Sequence, residues 1–555
     1  MSAAAYAAPA DARLAASLLL LRDSPQGVEV LMLRRAERAG DQRSGAAVFP
    51  GGQLDARDRA AHGHCLGPDD AGASRQLGVA LGGLDYAIAA VRETFEEVGL
   101  LLAVGDIDLP ALQTWRIRMQ AGEAGVAEFC TATGLQFDLR GLVYCAHWLT
   151  PVGSPKRFDT RFFAALAPAG QQAEADFAEA VELMWLTPAQ ALDRARGLKL
   201  LPVTRELLRD LQQHNTAATA LAGMRAQTKV PLVMPRRAIT GDGPGVVLPH
   251  ERSYAEIGRL DPTGRGDVHS TLRAGRVVQL SPRVLRITAP NPGPMTGPGT
   301  NSYLVGGGER WTLIDPGPEI AAASGDHLQV VLAAVAALTP PGHIERILVT
   351  HTHGDHSPAA AAFARATGAP VWGRIADHPA WQDPGFSPAH LPQHGDRITA
   401  GDDATLRVVH TPGHASNHLC FLLEEEKLLF TGDHVMQGST VVINPPDGDM
   451  AAYLRALQAL LDEDLEWLAP GHGFLVAEPQ AVLRGLIAHR LRREAKVVQS
   501  LQSEGPGTLE ALLPLVYNDV SPTLHPVARR SLLAHLLKLQ ADGRARLADE
   551  IWSAC

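Results

Sequence analysis

The hexapeptide His-Thr-His-Gly-Asp-His at 351–356 directly follows a β-rich apolar run. In an extended segment alternate side chains share a face, so we predict that His351 and His353 point the same way. Gly354 lets the chain turn, which brings the last two residues to a second point. Imidazoles and carboxylates at this spacing suit zinc or a similar divalent cation. The chain must therefore fold so that the end of this strand meets other metal ligands.

Three later turns carry side chains of the same kind: His414 in a Thr-Pro-Gly-His turn, Asp433 in Thr-Gly-Asp, and His472 in Pro-Gly-His-Gly. Each turn follows an apolar, strand-like run. Packing requirements alone do not explain seven metal-type ligands that end four successive strands, so we predict that they converge on a two-metal site. Three other histidines of this region are expected to be ordinary core or surface residues: His343, His418 and His434.

These motifs resemble, in order, those of the metallo-β-lactamase superfamily, and Asp315 in Leu-Ile-Asp-Pro-Gly looks like its first, structural motif. The resemblance covers about 285–555 and implies an αββα sandwich with two Zn²⁺ ions that supply hydroxide at neutral pH. It implies that Asp355 orients this hydroxide or takes its proton. It also implies the distribution of ligands: His351, His353 and His414 on one ion, Asp355, His356 and His472 on the other, and Asp433 between them.

Segments 289–306, 443–454 and 489–494 look like the beta-lactamase-like protein 2 branch, an endoribonuclease-type group in which a small winged-helix-like domain follows the metal domain. From Ala481 onward ten Lys or Arg face seven Asp or Glu, so this tail carries +3 and the rest of the chain −13. That polarity is expected if the tail helps to hold a polyanion, although an ordinary helical surface explains it nearly as well. Single-stranded RNA is the favoured substrate, and thioester hydrolysis of the glyoxalase II type fits the same ligands.

A run of glutamates marks the first half of the chain, in a helix predicted to have Asp85 as its N-cap and to stop at Gly99. Glu93, Glu96 and Glu97 fall on one face, where like charges destabilise an isolated helix. A divalent cation reverses the sign of that interaction, and oxygen ligands suit Mg²⁺ or Mn²⁺, which would also grip a diphosphate. The alternative is a plain acidic face in contact with solvent.

Together with the preceding Gly51 and Gly52, this helix resembles the Nudix box, and the resemblance covers about 10–215. It is closest to the coenzyme A diphosphatase branch and implies an α/β/α sandwich that hydrolyses a small nucleoside diphosphate-linked substrate. By this resemblance the three glutamates are metal or base carboxylates, Glu96 and Glu97 being the catalytic pair, and Arg92 forms an orienting salt bridge. Further ligand candidates are Glu179 and Glu182.

The box departs from the family pattern in two respects. An insertion separates Gly52 from Arg92, and the expected glutamate between them has no clear counterpart, although Asp55 or Asp58 could serve. A catalytically idle Nudix binding module is therefore the alternative to an active diphosphatase.

Composition limits the remaining possibilities. The net charge of −10 argues against a whole-chain nucleic-acid coat. Five scattered cysteines without a Cys-x-x-Cys pair indicate a reducing cytoplasm rather than a disulfide framework. No stretch approaches the ~20 apolar residues of a membrane span. We predict an α/β multidomain protein in four parts: a Nudix domain at 10–215, a linker and edge segment at 216–276, a metallo-β-lactamase domain at 277–478 and a winged-helix-like domain at 479–555.

Overall fold

The computed structural model describes residues 5–37, 44–106, 109–174, 180–319 and 326–555. The chain forms two units. The first consists of Met1–Arg237, Pro244–Pro249 and Thr263–Gly266, and the second of Ala238–Gly243, His250–Pro262 and Asp267–Cys555. Among the helices of the described ranges, none combines the length and the apolarity needed to cross a bilayer.

The first unit is built on a nine-stranded mixed sheet with the order β11-β3-β2-β1-β9-β8-β12, in which β10 pairs with β2 and β4 with β1. A separate three-stranded sheet has the order β5-β7-β6. The strands are β1 Ala12–Ser24, β2 Gly27–Arg35, β3 Ala46–Val48, β4 Gly51–Gln53, β5 Cys65–Leu66, β6 Ala103–Val104, β7 Gln136–Asp138, β8 Val143–Leu149, β9 Arg157–Leu166, β10 Ala180–Leu186, β11 Lys199–Leu200 and β12 Leu232–Val233.

Both faces of this sheet are covered, as the strand β1 shows. Its centre is buried without interruption, because Leu18 and Leu20 enter one core while Leu19 and Leu21 enter another. Such continuous apolar runs are typical of strands with helices on both sides. The helices are α1 Asp70–Leu77, α2 Gly83–Val98, α3 Leu109–Gln120, α4 Val126–Thr133, α5 Pro188–Leu192, α6 Pro202–Leu211 and α7 Ala217–Arg225.

The α/β/α sandwich predicted for the first half is therefore confirmed. Helix α2 carries the glutamates and packs into the first core, whereas α6 and α7 pack into the second. The prediction that Asp85 is the N-cap of α2 was wrong, because the N-cap is Gly82 and Asp85 lies inside the first turn. The Asp70 carboxylate accepts hydrogen bonds from the Gly82 and Leu84 amides, so α1 supplies the cap and the helix begins earlier.

The segment 216–276 has a loop-like composition, yet it contains regular elements. Besides β12 and α7, whose Ala217, Ala220 and Leu221 are buried in the second core, it holds two further short strands and a helix. These are β13 Arg236–Thr240, β14 Gly243–Val247 and α8 Tyr254–Leu260.

The second unit contains two six-stranded sheets, ordered β15-β16-β17-β18-β19-β20 and β21-β22-β23-β24-β25-β26. The first sheet consists of β15 Val277–Ser281, β16 Val284–Thr288, β17 Asn301–Gly307, β18 Arg310–Ile314, β19 His343–Leu348 and β20 Val371–Trp372. The second consists of β21 Arg397–Ala400, β22 Ala404–His410, β23 Leu419–Leu423, β24 Leu428–Gly432, β25 Trp467–Pro470 and β26 Val476–Ala477.

The two sheets share one apolar core, in which Val305 and Leu348 of the first sheet meet Phe421 and Phe430 of the second. Helices cover the outer faces: α9 His327–Ala336 and α10 Ala360–Thr367 on the first sheet, α11 Met450–Leu460 and the start of α12 Pro479–Ser503 on the second. This is the predicted αββα sandwich.

The C-terminal part is a small domain with a core of its own, formed by α12, α13 Leu509–Val516, α14 His525–Ala541 and the hairpin β27 Ala545–Ala548 and β28 Ile551–Ala554. A helical bundle that ends in a two-stranded wing is the winged-helix arrangement, which confirms that prediction.

A buried ion pair fixes α8 beside the loop that carries His472. Both guanidinium ends of Arg286 donate to the Glu256 carboxylate, at 2.6 and 2.8 Å, and the same carboxylate accepts the Leu475 amide at 2.7 Å. Both side chains are about 2% exposed. Glu256 thus neutralises Arg286 and holds the chain just after His472.

We expect Glu256→Ala to lower the free energy of unfolding of the second unit by about 3–5 kcal/mol, because Arg286 would stay buried without a countercharge. Replacing both partners by apolar residues, Glu256→Leu with Arg286→Met, should cost far less. Hydrogen exchange of the β16 and β17 amides in increasing urea measures the difference. Equal destabilisation by the single and the double variant would contradict this account.

Candidate functional site

The metal-type side chains of the second unit all follow strand ends. The segment 351–356 comes after β19, His414 after β22, Asp433 after β24 and His472 after β25. Strands β24 and β25 are parallel neighbours, as are β18 and β19, so their ends open on one edge of the sandwich. The sheets therefore bring together side chains that lie up to 121 positions apart in the sequence.

The first group consists of His351, His353 and His414. The Nδ1 atom of His353 lies 3.0 Å from Nε2 of His351 and 3.0 Å from Nε2 of His414. Burial, with a smaller contribution from His414, lowers the pKa of His353 to about 3. Burial also holds the pKa of His351 well below its usual range. The imidazoles are thus neutral, with lone pairs on nitrogens that face one point.

The second group consists of Asp355, His356 and His472. The Nε2 atom of His472 lies 3.2 Å from Asp355 Oδ2 and 3.3 Å from Asp433 Oδ1. The Nε2 atom of His356 lies 3.4 Å from the same Asp433 oxygen. Because Asp433 also groups with His351 and His356, its carboxylate lies between the two sets.

Two buried atoms of this pocket are suited to binding a cation. His356 Nε2 and Asp433 Oδ1 are fully buried and have no hydrogen-bond partner among the described residues. Although burial opposes the charged form, Asp433 and Asp355 raise the pKa of His472 to about 10. The same carboxylates would attract a divalent cation in place of that proton. The donor set of nitrogens and carboxylate oxygens is that of a zinc site.

A second layer of contacts orients the rings. His356 Nδ1 donates to Asp315 Oδ2 at 2.8 Å, His414 Nδ1 to the Val442 carbonyl at 2.8 Å, and His472 Nδ1 to the Gly299 carbonyl at 3.2 Å. Each bond fixes the tautomer that leaves Nε2 facing the pocket. Asp315, predicted from its motif, therefore lies behind the site rather than in it.

Three contributors were not predicted from the sequence: the carbonyls of Val442 and Gly299, and Thr300, whose hydroxyl donates to Asp355 Oδ2 at 3.1 Å. Backbone carbonyls have no residue-type signal, so sequence reasoning cannot find them. Gly471 is a further constraint, since a Cβ there would lie 2.7 Å from the His356 ring and 2.8 Å from Asp433 Oδ1.

The three histidines expected to lie outside the site occupy ordinary positions. His343 is exposed on β19, whereas His418 and His434 are fully buried. The His418 ring lies 5.0 Å from the His351 ring and packs behind it.

In the first unit, α2 places its glutamates against the turn that contains β4. The Gly51 amide donates to Glu97 Oε2 at 2.9 Å, and a Cβ on Gly52 would collide with the Glu93 carboxylate. Arg92 donates to Glu93 at 2.8 Å and lies 3.4 Å from Glu96. The two glycines thus allow the carboxylates to approach the backbone closely.

Arg92 is buried, and its main partner comes from the insertion. The guanidinium donates to Asp58 at 2.8 and 3.2 Å, and Asp58 is 1% exposed. Asp58 lies on a 3₁₀ helix, Ala56–His64, capped by Asp55, which itself pairs with Arg57. Of the two aspartates considered from the sequence, the structure therefore brings Asp58 to Arg92.

Burial raises the pKa of Glu96 to about 7, with Arg92 opposing the shift and Glu93 adding to it. A cavity of about 400 Å³ adjoins α2 and is lined by Glu93 and Glu97, by Arg35, and by the aromatic rings of Phe158 and Phe162.

Of the two extra ligand candidates in the first unit, Glu182 pairs with Arg34 at 3.0 Å and its side chain is 47% exposed. Glu179 lies outside the described residues.

Three family models match the chain: the metallo-beta-lactamase superfamily over residues 295–472, the NUDT19 Nudix domain over 70–201 and the beta-lactamase associated winged helix domain over 508–552. A beta-lactamase-like protein 2 homolog of Drosophila melanogaster is 32% identical over 290 residues, 49% of this chain and 94% of the relative.

Two further relatives resemble separate parts of the chain. An atrochrysone carboxyl ACP thioesterase of a Cryptosporiopsis species is 32% identical over 226 residues, 41% of this chain and 65% of that protein. A NUDIX hydrolase from Alicyclobacillus acidocaldarius, known from its crystal structure, is 28% identical with a TM-score of 0.34, covering 39% of this chain and 97% of that one. In order along the chain, the matches are a Nudix domain, a metallo-β-lactamase domain similar to beta-lactamase-like protein 2, and the associated winged-helix domain. The chain therefore belongs to the metallo-β-lactamase superfamily and is a hydrolase.

Proposed function

We propose that the second unit hydrolyses phosphodiester bonds in single-stranded RNA, with two zinc ions held by the residues around Asp433. The observation that carries the proposal is the convergence of five imidazoles and two carboxylates in one pocket. His351, His353 and His414 would hold one ion, and Asp355, His356 and His472 the other. When bound, such a pair of ions lowers the pKa of a water molecule and stabilises the charge that develops on the substrate.

The residues of the chain supply the remaining chemistry. Asp355 is held by the Thr300 hydroxyl at 3.1 Å. Where His356 is protonated, its charge lowers the pKa of Asp355 to about 2 against the effect of burial, and a cation bound in place of that proton would favour the ionised carboxylate in the same way. It can therefore accept a proton from an attacking water and orient that water toward the scissile bond.

RNA is favoured by the charge of the C-terminal domain, which carries +3 while the rest of the chain carries −13. A second candidate is thioester hydrolysis, because a relative that shares the metal domain is named as an ACP thioesterase. The metal ligands stabilise either transition state, so the walls of the pocket decide between the two.

The test is to measure zinc per chain and to incubate the full-length protein with single-stranded RNA and, separately, with acyl thioesters. We expect two zinc ions and RNA cleavage that weakens with salt, because log affinity falls by about 0.7 per phosphate contact for each unit of log salt concentration. Thioester hydrolysis without RNA cleavage would replace the RNA assignment. A protein that binds no metal would overturn both.

We also propose that the first unit hydrolyses a small nucleoside diphosphate-linked molecule with Mg²⁺ or Mn²⁺ held by Glu93, Glu96 and Glu97. What supports this is the position of Glu93 and Glu97 in the wall of a cavity large enough for a ligand. Hard cations of this kind prefer carboxylate oxygens and bind diphosphates. Glu97 would act as the base, since Gly51 orients its carboxylate.

A cytoplasmic location is proposed on the state of the cysteines. All five are free thiols, and three of them, Cys130, Cys145 and Cys420, are buried. Free buried thiols are usual in a reducing compartment.

We expect Asp58→Ala to lower diphosphatase activity about 10- to 100-fold, the usual effect of losing a residue that orients a ligand. Arg92 would lose its buried partner and turn further toward Glu93 and Glu96. Asp58→Glu should restore part of the activity. Asp55→Asn should have little effect, because the Asp55 side chain pairs with the exposed Arg57 and not with Arg92. Steady-state rates with a nucleoside diphosphate substrate distinguish these results, and equal rates in all three variants would contradict the assignment.

A further inference from the structure

We propose that Trp381 and Arg530 form a substrate subsite at the edge of the metal centre, where the indole stacks on a base of single-stranded RNA and the guanidinium binds a neighbouring phosphate. This inference rests on the proposed RNA function and adds the residues that would hold the strand. The two residues are called the rim pair below.

The position of Trp381 follows from its neighbour. Gln382 forms an antiparallel bridge with His353, one of the predicted metal ligands, and the Asp383 amide donates to the Thr352 carbonyl at 2.6 Å. The loop that contains Trp381 and Gln382 is held further by Asp447, whose carboxylate accepts a hydrogen bond of 2.9 Å from the side-chain amide of Gln382. Trp381 is thus one residue away from a direct backbone contact with the metal centre.

Asp447 also ties this loop to the opposite side of the centre. It accepts the Ser416 hydroxyl at 2.6 Å and the Ser416 amide at 3.0 Å, and Ser416 lies two residues after His414. The backbone next to Trp381 is therefore tied both to the segment of His353 and to the turn that follows His414.

The indole itself is open. Trp381 is 59% exposed, and its φ of 69° is unusual for a residue with a large side chain. More than half of this large aromatic side chain is therefore open to a ligand. Exposed aromatic rings beside a hydrolytic site are the platforms on which single-stranded nucleic acids stack.

The second member of the rim pair comes from the winged-helix domain. The guanidinium carbon of Arg530 lies 4.8 Å from the centre of the Trp381 ring. One turn further along α14, Ala534 is buried in the core that contains Tyr453 and Leu457 of α11. The packing of α14 against the metal domain therefore places Arg530 at the site, and the adjacent Arg529 is instead paired with Glu510 at 2.6 Å.

Because the Arg530 guanidinium lies over one face of the indole, a base would stack on the other face while the guanidinium forms charge-assisted hydrogen bonds with a phosphate. The same arrangement explains why a small domain with an excess of basic residues follows the metal domain. Its helix α14 would contribute to substrate binding at the catalytic edge rather than at a distant surface.

The test compares Trp381→Ala, Trp381→Phe, Arg530→Ala and the control Arg529→Ala in the full-length metal-loaded protein. With a fluorescein-labelled oligouridylate, Trp381→Ala should raise KM about 5- to 100-fold with kcat nearly unchanged, and Trp381→Phe should restore most of the loss. Arg530→Ala should also raise KM and reduce the salt dependence by about one phosphate contact, ~0.7 in the log–log slope. Arg529→Ala should behave as the wild type.

A phosphodiester without a nucleobase, methyl p-nitrophenyl phosphate, should be hydrolysed equally by all of these variants. The subsite alone would be overturned if the Trp381→Ala and Arg530→Ala variants still cleaved RNA and had the same KM for the oligouridylate as the wild type. A wild-type protein that does not cleave RNA would overturn the proposed function and the subsite with it. Loss of methyl p-nitrophenyl phosphate hydrolysis in the variants would also count against the subsite, since it would indicate damage to the metal centre.

Discussion

Replacing His351 by alanine should abolish hydrolysis by the second unit, with a loss on the order of 10⁴-fold, as is usual when one member of an interdependent catalytic set is removed. His351 belongs to two of the three candidate ligand groups described in the second unit, one with His353 and His414 and one with His356 and Asp433. His351 would hold one ion directly, and Asp433 lies between this position and the other, so zinc per chain should fall with the activity.

The matched control is His343→Ala. His343 lies on the same strand system, on β19, but is exposed and remote from the groups of candidate ligands. It should retain full activity and full zinc content, measured by elemental analysis of the purified protein. A His351→Ala protein that keeps both would show that the pocket is not the catalytic centre.

The second large effect is expected in the first unit, where Glu97→Gln should reduce diphosphatase activity about a thousandfold, within the 10²–10⁴-fold contribution usual for a general base. The substitution preserves the size of the side chain and keeps an oxygen that can accept the hydrogen bond from Gly51. It removes the charge, so both metal binding and proton abstraction should suffer. RNA cleavage by the same protein should be unaffected.

Glu206→Gln provides the comparison, because Glu206 lies on α6 of the same unit and pairs with Arg209 on the surface. Its rate should match that of the wild type. Identical diphosphatase rates in Glu97→Gln and the wild type would remove the assignment of the base. If neither protein had any activity with Mg²⁺ or Mn²⁺ bound, the first unit would be a binding module instead of an enzyme.

The layered folds could be predicted from the sequence because the residue patterns that indicate them lie within short stretches of the chain. The apolar run in β1 is buried on both faces, and this continuity is visible in the sequence as Leu18–Leu21. The ligand motifs are equally local, since each lies within a few residues of the end of a strand. Side-chain type and spacing therefore sufficed to predict that His351 and His353 face the same point, as they do.

Other contacts join segments that lie far apart in the sequence, and no repeating pattern of residues indicates such contacts. The sequence left Asp55 and Asp58 open as counterparts of the missing box glutamate, and only the path of the inserted 3₁₀ helix brings Asp58 to Arg92. The cap of α2 was also misplaced, because Asp70 reaches it from another helix. Neither contact follows from residue type at a fixed spacing.

What the sequence determined by itself is the chemistry available to this protein: the kinds of ligand, their order and the strands that present them. The tertiary structure decided which groups support those ligands and what borders them, such as Asp315 behind His356 and Arg530 against Trp381. The physical reason is that ligand identity and strand periodicity are short-range properties of the chain. A contact between residues 149 positions apart depends instead on how whole domains pack.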